Sequence, residues 1–197
     1  MPANTPIFGF PYPLGTDPVS QGDNDIRALA EDVETVLATN GLWLVKTQTI
    51  GSGVSSVTVT DAFSADYDNY LVTYTGGVGS TSTFLKMTLG STTANYYYAV
   101  NGHTYANAAA NSGSANVAFL FGGWITTVGG PTEIVVINPQ KADRTEFYMR
   151  TVIVDTSGGI YHGGGYLNDT TAYTAFTFTP NAGTITGGTI RVYGYSN

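Results

Sequence analysis

The stretch His162-Gly-Gly-Gly165 contains the first residue types in this chain that could do chemistry. An HGGG run is the oxyanion-hole signature of some esterases, because its backbone N–H groups can stabilise a developing negative charge. That signature needs a downstream G-x-S-x-G turn, which occurs nowhere in the chain. Only residues 166–197 follow the run. It therefore predicts a strand or bulge where two backbones approach closely, and we assign no catalytic residue.

Two carboxylates and two histidines are the other candidates for catalytic or metal-binding residues. Asp66 and Asp68 would share one face of an extended segment, where a carboxylate pair can hold a metal or hydrolyse a glycosidic bond. The alternative is that both satisfy local backbone groups at the start of a strand. His103 and His162 are the only histidines, and no carboxylate accompanies them at a zinc-site spacing. We expect neither a metal site nor a cofactor, and there is no cysteine.

Aromatic residues between positions 96 and 166 give the best indication of a ligand. Aromatic rings can stack on sugar rings, which makes Tyr97, Tyr105 and Trp124 the candidate glycan contacts, although we favour the alternative that follows. The alternative is that these aromatics belong to a β core or to a seam between copies of the chain.

The composition limits the classes of partner. Charged residues make up 11% of the chain, against about 25% in typical soluble domains, and the net charge is −7. The seven basic residues are scattered, so binding to nucleic acid or to an anionic membrane is disfavoured. The N-terminus has no signal-peptide pattern, and no apolar run is long enough to insert into a membrane. We expect synthesis in the cytoplasm.

Residues 1–22 form an arm that is rich in proline and aromatic residues. The prolines disfavour a helix and remove ladder donors, so the arm is predicted to be extended. Phe8, Phe10 and Tyr12 then project from a segment that has no core of its own. We expect these three side chains to dock onto another surface; the alternative is a frayed terminus.

Residues 23–41 predict one short amphipathic helix, capped by Asp23 or Asn24 and stopped by Asn40-Gly41. Two heptads are too short to stay helical alone in water. The helix either packs on its own β domain or joins a short parallel bundle of copies, and we expect the bundle. The interface would be an apolar stripe consisting of Ile26, Leu29, Val33, Val36 and Leu37.

Residues 42–197 alternate with a period of two between Gly-rich turns, which predicts about ten short strands without intervening helices. The fold class is mostly β, an antiparallel, jelly-roll-like β-sandwich. Residues 101–116 interrupt the alternation and predict a long surface loop. Glu133 and Glu146 flank a predicted hairpin, where pairing with Lys141 or Arg144 would account for them.

Three segments resemble parts of tailed-bacteriophage virion proteins. Phe8-Gly-Phe-Pro-Tyr-Pro, with Thr16-Asp-Pro-Val and Ile26-Arg-Ala-Leu-Ala-Glu, resembles the N-terminal attachment region of minor tail and fibre proteins. Tyr67-Asp-Asn-Tyr-Leu71 resembles a strand-opening motif in their β domains. Gly187-Gly-Thr-Ile-Arg-Val-Tyr-Gly-Tyr195 resembles the last strand of those domains.

The resemblance implies a homotrimeric fibre or spike in the virion. Its arm would anchor it to other virion proteins, its helix would form a neck, and its β-sandwich would be the head. The resemblance does not specify what the head does, and we expect a tail-associated fibre that contacts the host surface. The alternative within this class is a head fibre or capsid-decoration protein. The rivals from other classes are a carbohydrate-active enzyme that uses Asp66 and Asp68, and a monomeric lectin whose helix folds back on its own sandwich.

Overall fold

The computed structural model describes residues 3–5, 9–12, 18, 21–39, 41–156 and 158–196. The chain divides into two compact units, one of Met1–Leu42 with Ser196–Asn197 and one of Trp43–Tyr195. The predicted anchor residue Phe8 lies outside the described residues.

The arm in the first unit folds back on itself. Strand β1 (Ala3–Asn4) pairs antiparallel with strand β2 (Pro11–Tyr12). Thr5 N–H donates to the carbonyl of Phe10 at 2.9 Å, and Phe10 N–H donates to Thr5 Oγ1 at 3.0 Å. The sequence predicted an extended arm, and the described residues 3–5 and 9–12 are extended segments that pair with each other. Phe10 is half-buried and Tyr12 is 43% exposed.

The helix of the first unit, α1, spans Gly22–Thr39, close to the predicted range. Asp23 and Asp25 in its first turn interact favourably with the positive end of the helix dipole. Gly41 follows with a φ of 102°, the left-handed conformation that ends many helices and that glycine adopts without strain. This helix of the described residues is not apolar enough over its length to span a bilayer.

The remaining strands all follow the helix. They are β3 (Leu42–Thr49), β4 (Val57–Val59), β5 (Asn69–Thr75), β6 (Val78–Gly79), β7 (Thr83–Leu89), β8 (Tyr96–Thr104), β9 (Ala109–Val117), β10 (Leu120–Ile125), β11 (Thr132–Ile137), β12 (Thr145–Ile153), β13 (Gly159–Leu167), β14 (Phe176–Pro180), β15 (Ile185–Thr186) and β16 (Thr189–Tyr195).

Two antiparallel sheets form the second unit. The larger sheet has the order β3-β16-β5-β11-β12-β13-β8-β9, the smaller has the order β10-β7-β14-β4, and β6 pairs with β15. On β5, β7, β11 and β12 every second side chain is buried, because one face of each strand points into the core. Buried side chains from both sheets form one hydrophobic core. The predicted antiparallel β-sandwich is confirmed.

Two predictions about connections are wrong. Residues 101–116 form no long loop, because β8 and β9 pair as a hairpin that turns at residues 105–108. Strand β9 is at the edge of the sheet with few buried side chains, so its sequence has no apolar alternation. Glu133 pairs with Arg150 on β12, and Lys141 Nζ lies 2.6 Å from Asp68 Oδ2. Arg144 Nε donates to Asn168 Oδ1 at 3.0 Å.

Candidate binding trough on the outer face of the larger sheet

The outer face of the larger sheet is the side opposite to the core. It is formed by the side chains that lie between the buried ones on β5, β11, β12, β13 and β8. A solvated sheet face normally carries polar side chains. This face includes large apolar ones, and Tyr148 is 57% and Ile160 51% exposed. Large apolar side chains exposed on one face are typical of an interaction surface.

The strand register lines up polar side chains across the outer face. Glu133 of β11 lies opposite Arg150 of β12, and Arg150 lies opposite His162 of β13. His162 in turn lies opposite Asn101 of β8. The alignment continues onto β5 and β9. This polar row crosses six neighbouring strands and consists of Thr73, Glu133, Arg150, His162, Asn101 and Asn111, and the register places Arg191 of β16 opposite Thr73 at its end.

A second row of small and apolar residues runs beside the polar row. On each strand its member is two residues from the polar-row member, after it on β11 and β13 and before it on β5, β12 and β8, which is a separation of about 6.7 Å. Tyr148 is its largest exposed member. The register again places its members opposite one another on five neighbouring strands. This apolar row consists of Leu71, Val135, Tyr148, Gly164 and Ala99.

The two rows line a groove of about 800 Å³, which we call the trough. All five members of the apolar row and four members of the polar row line it, together with Tyr195 at one end. A second groove of about 310 Å³ adjoins it, and Glu133, Arg150 and His162 line both. The polar row therefore runs between two apolar depressions. A volume of this size and an apolar lining with a few polar groups are typical of ligand sites.

The glycine run that resembles an oxyanion signature has a packing role in β13. A Cβ on Gly163 or Gly165 would collide with a backbone carbonyl of β8. Gly164 points to the outer face, where a Cβ would lie 2.6 Å from the carbonyl oxygen of Phe147 and 3.2 Å from Tyr148 Cδ1. The prediction that backbones approach closely here is confirmed. Gly164 and Tyr148 both line the trough, and a Cβ at Gly164 would take up space beside the ring of Tyr148.

The charges in the trough compensate one another. Arg150 Nε donates to Glu133 Oε2, and the two side chains are 77% and 36% exposed. An ion pair this exposed contributes little to the free energy of unfolding. The pair matters more for ligand binding, because each side chain already neutralises the charge of the other. The polar row consequently offers hydrogen-bond donors and acceptors with no net charge from this pair.

The structure does not bring the three predicted glycan residues together. Tyr97 lies on the outer face, where its ring stacks on Tyr166 with centroids 4.8 Å apart and planes at 4°. Tyr105 is 61% exposed in the turn between β8 and β9. Trp124 belongs to β10 in the smaller sheet. The three residues therefore occupy three separate places in the fold.

Trp124 is part of a second aromatic cluster between the sheets at the β10 edge. Its ring lies 5.8 Å from Tyr161 and 6.2 Å from Phe121, measured between centroids. Its indole N–H donates to Ser82 Oγ at 3.1 Å. Since neighbouring rings cover Trp124 and leave it only half-exposed, its observed role is to pack β10 against the larger sheet. The cluster consists of Phe84, Tyr98, Phe119, Phe121, Trp124 and Tyr161.

The candidate carboxylates and histidines have structural partners or neighbours. Asp66 Oδ2 accepts from Ser64 Oγ at 2.9 Å, and Asp68 pairs with Lys141. His103 and His162 occupy diagonal positions on the neighbouring strands β8 and β13, a proximity that their distant sequence positions do not reveal. Within the part of the chain that the structure describes, no group of three His, Asp or Glu side chains is arranged to hold a metal ion.

The chain matches no protein-family model, and no curated protein matches it significantly. The resemblance to phage virion proteins therefore stays a prediction from the quoted segments.

Proposed function

We propose that this chain is a structural protein of a bacteriophage virion, a homotrimeric fibre or spike. Residues 1–22 anchor it to other virion proteins, α1 forms the neck and the β-sandwich is the head. The favoured location is the tail, where the head contacts the host surface. Its work is attachment, and no covalent chemistry is part of the proposal.

The observation that carries the proposal is the exposed apolar stripe of α1. Ile26 is 64% and Leu37 is 58% exposed, although both are at positions that a helix normally buries. Leu29, Val33 and Val36 are only half-buried. An isolated helix of 18 residues is marginal in water, so this stripe needs a partner to stay folded. Equivalent stripes of neighbouring copies would bury one another.

The heptad positions of the stripe support a parallel bundle. Ile26 and Val33 are at a positions, with Leu29 and Val36 at d positions. Arg27 and Glu31 are exposed and lie outside the stripe. They form an i,i+4 ion pair, with 3.8 Å between Arg27 Nε and Glu31 Oε1. Charged residues outside the apolar seam are typical of short bundles. Three copies are proposed because the resembling phage proteins imply a threefold fibre.

The arm supports the anchoring part of the proposal. Its described residues pair as two short strands, and Tyr12 on the second strand is 43% exposed. An exposed aromatic side chain on a separate small unit is suited to docking on another protein. The resemblance of Phe8-Gly-Phe-Pro-Tyr-Pro to phage attachment regions supports the same interpretation.

Labelling of phage particles tests the location. Antibodies raised against the recombinant chain are applied to intact virions and to tailless capsids of a phage that encodes it. We expect labelling of virions at the tail and none on tailless capsids. Labelling of tailless capsids would replace the tail location with a head-fibre or capsid-decoration location. An absence of label from virions that carry a labelled control protein would refute the virion proposal.

A further inference from the structure

We propose that the trough binds an uncharged oligosaccharide, which lies along the outer face across the strands. The inference rests on the proposed function only for the source of the sugar, the host surface. The binding itself follows from the two rows of side chains and can be tested without a phage.

The dimensions of the rows suit an extended ligand. Neighbouring strands are about 4.8 Å apart, so a row that crosses six strands is about 24 Å long. The polar and apolar rows remain parallel over the five strands that they share. A ligand that follows both rows must be elongated, with an apolar surface along one side and hydrogen-bonding groups along the other. An oligosaccharide has this arrangement, since its rings present C–H faces and its edges present hydroxyl groups.

The chemistry of the rows matches those two surfaces. Tyr148 is 57% exposed, and Cδ1 and Cε1 of its ring lie 3.2 and 3.6 Å from the position that a Cβ of Gly164 would occupy. The ring offers a stacking surface for the C–H face of a sugar ring. Beside it, Asn101 and His162 each provide a donor and an acceptor, which are the groups that a hydroxyl needs. Glu133 accepts and Arg150 donates on the same line.

The compensated charge favours an uncharged sugar over an anionic one. Glu133 and Arg150 neutralise each other, so a carboxylate or phosphate on the ligand would have to compete with Glu133 for Arg150. The chain carries a net charge of −7, which further disfavours anionic ligands. A hydroxyl group can bond to both members of the pair without separating them.

The arrangement also distinguishes a sugar from a second copy of the chain. Protein interfaces have an apolar centre and a polar rim. Here the polar row crosses the middle of the face, and apolar side chains such as Tyr148 and Ile160 lie on its two sides. A protein partner would have to desolvate the whole row and match it group by group, at a cost for every group left unpaired. A polyhydroxylated ligand satisfies such a row and leaves its outer edge in water.

A glycan array followed by titration calorimetry on the full chain tests this. The array carries uncharged oligomers of glucose, mannose, galactose, rhamnose and N-acetylglucosamine, with sialylated and phosphorylated oligosaccharides beside them. We expect binding to at least one uncharged oligomer. Tyr148→Ala and Asn101→Ala should each weaken the titrated affinity by about tenfold, because each removes one side of the trough.

Tyr105→Ala is the matched control, because Tyr105 is as exposed as Tyr148 but lies in the β8–β9 turn outside both rows. It should leave the affinity within about twofold. Equal losses for the two tyrosine variants would overturn the assignment of the trough. So would tighter binding to the anionic oligosaccharides, or an array signal no higher for the parent chain than for Tyr148→Ala.

A second variant and a second readout separate this inference from the proposed function. If Tyr148→Asp lowers the oligomeric mass, a second copy covers the outer face and the glycan proposal is wrong. If the array is negative while the chain remains a trimer, the glycan proposal fails and the fibre proposal stands. Binding by a monomeric chain would support the trough and contradict the fibre.

Discussion

Substitution of Tyr70 by phenylalanine should destabilise the β-sandwich by about 2–3 kcal/mol. Tyr70 is completely buried at the start of β5, with its ring edge-on to Phe63 at 4.9 Å between centroids. Its hydroxyl accepts from Ser64 N–H at 2.8 Å and donates to the carbonyl of Ser64 at 2.7 Å. Phenylalanine keeps the ring contacts and removes both hydrogen bonds. Ser64 is partly buried, and each lost bond that leaves such a partner unsatisfied costs about 1–1.5 kcal/mol.

The assay is urea unfolding with thermal unfolding beside it, both at one protein concentration, because assembly would make stability concentration-dependent. A loss of this size lowers the melting temperature of a chain of this length by about 5–10 °C. Tyr74→Phe is the control, since Tyr74 is equally buried on the same strand but its hydroxyl is 3.4 Å from the carbonyl of Gly187. That long contact predicts a loss below about 1 kcal/mol. Equal losses for the two variants would refute the argument.

Two further predictions concern assembly and pH. Val33→Asp places a charge in the apolar stripe of α1 and should lower the mass of the oligomer at a given concentration. Thr35→Asp, on the exposed side of the helix, should leave the mass unchanged. An unchanged mass for both variants would contradict the bundle. Burial raises the pKa of Tyr74 to about 12 and raises the pKa of Tyr96 as well. The folded state therefore keeps protons that the unfolded state loses above about pH 10, so the free energy of unfolding should fall as the pH rises. For Tyr74 the expected fall is about 1 kcal/mol between about pH 9 and about pH 11. Urea unfolding at the two pH values checks this, and a Tyr74→Phe variant with the same pH dependence as the parent would count against it.

The strands that the sequence predicts best are those with one buried and one exposed face. Strands β7 (Thr83–Leu89), β11 (Thr132–Ile137) and β16 (Thr189–Tyr195) are of this kind. Their side chains alternate between core and outer face, and this alternation is visible in the residue types. The edge strand β9 has no such alternation, which explains why the sequence predicted a loop there.

The trough could not be predicted in the same way, because it depends on the register between strands. Thr73, Glu133 and Arg150 belong to three strands and line up only when the pairing is known. The sequence suggested partners for Glu133 within the intervening turn, at Lys141 or Arg144. It also selected glycan residues by aromatic type alone, which could not separate the packed Trp124 from the exposed Tyr148. The sequence did contain one indication of the outer face: Tyr148 and Arg150 are two residues apart on β12, and each lies between residues that are buried.

The mass of the full chain in solution, measured by light scattering, tests the central claim most directly. The fibre proposal predicts about 62 kDa, three times the 20.7 kDa of one chain. A second measurement on residues 42–197 then shows whether the head or the helix holds the trimer together. A single species of one chain's mass across the accessible concentration range would contradict the fibre and favour a monomeric lectin.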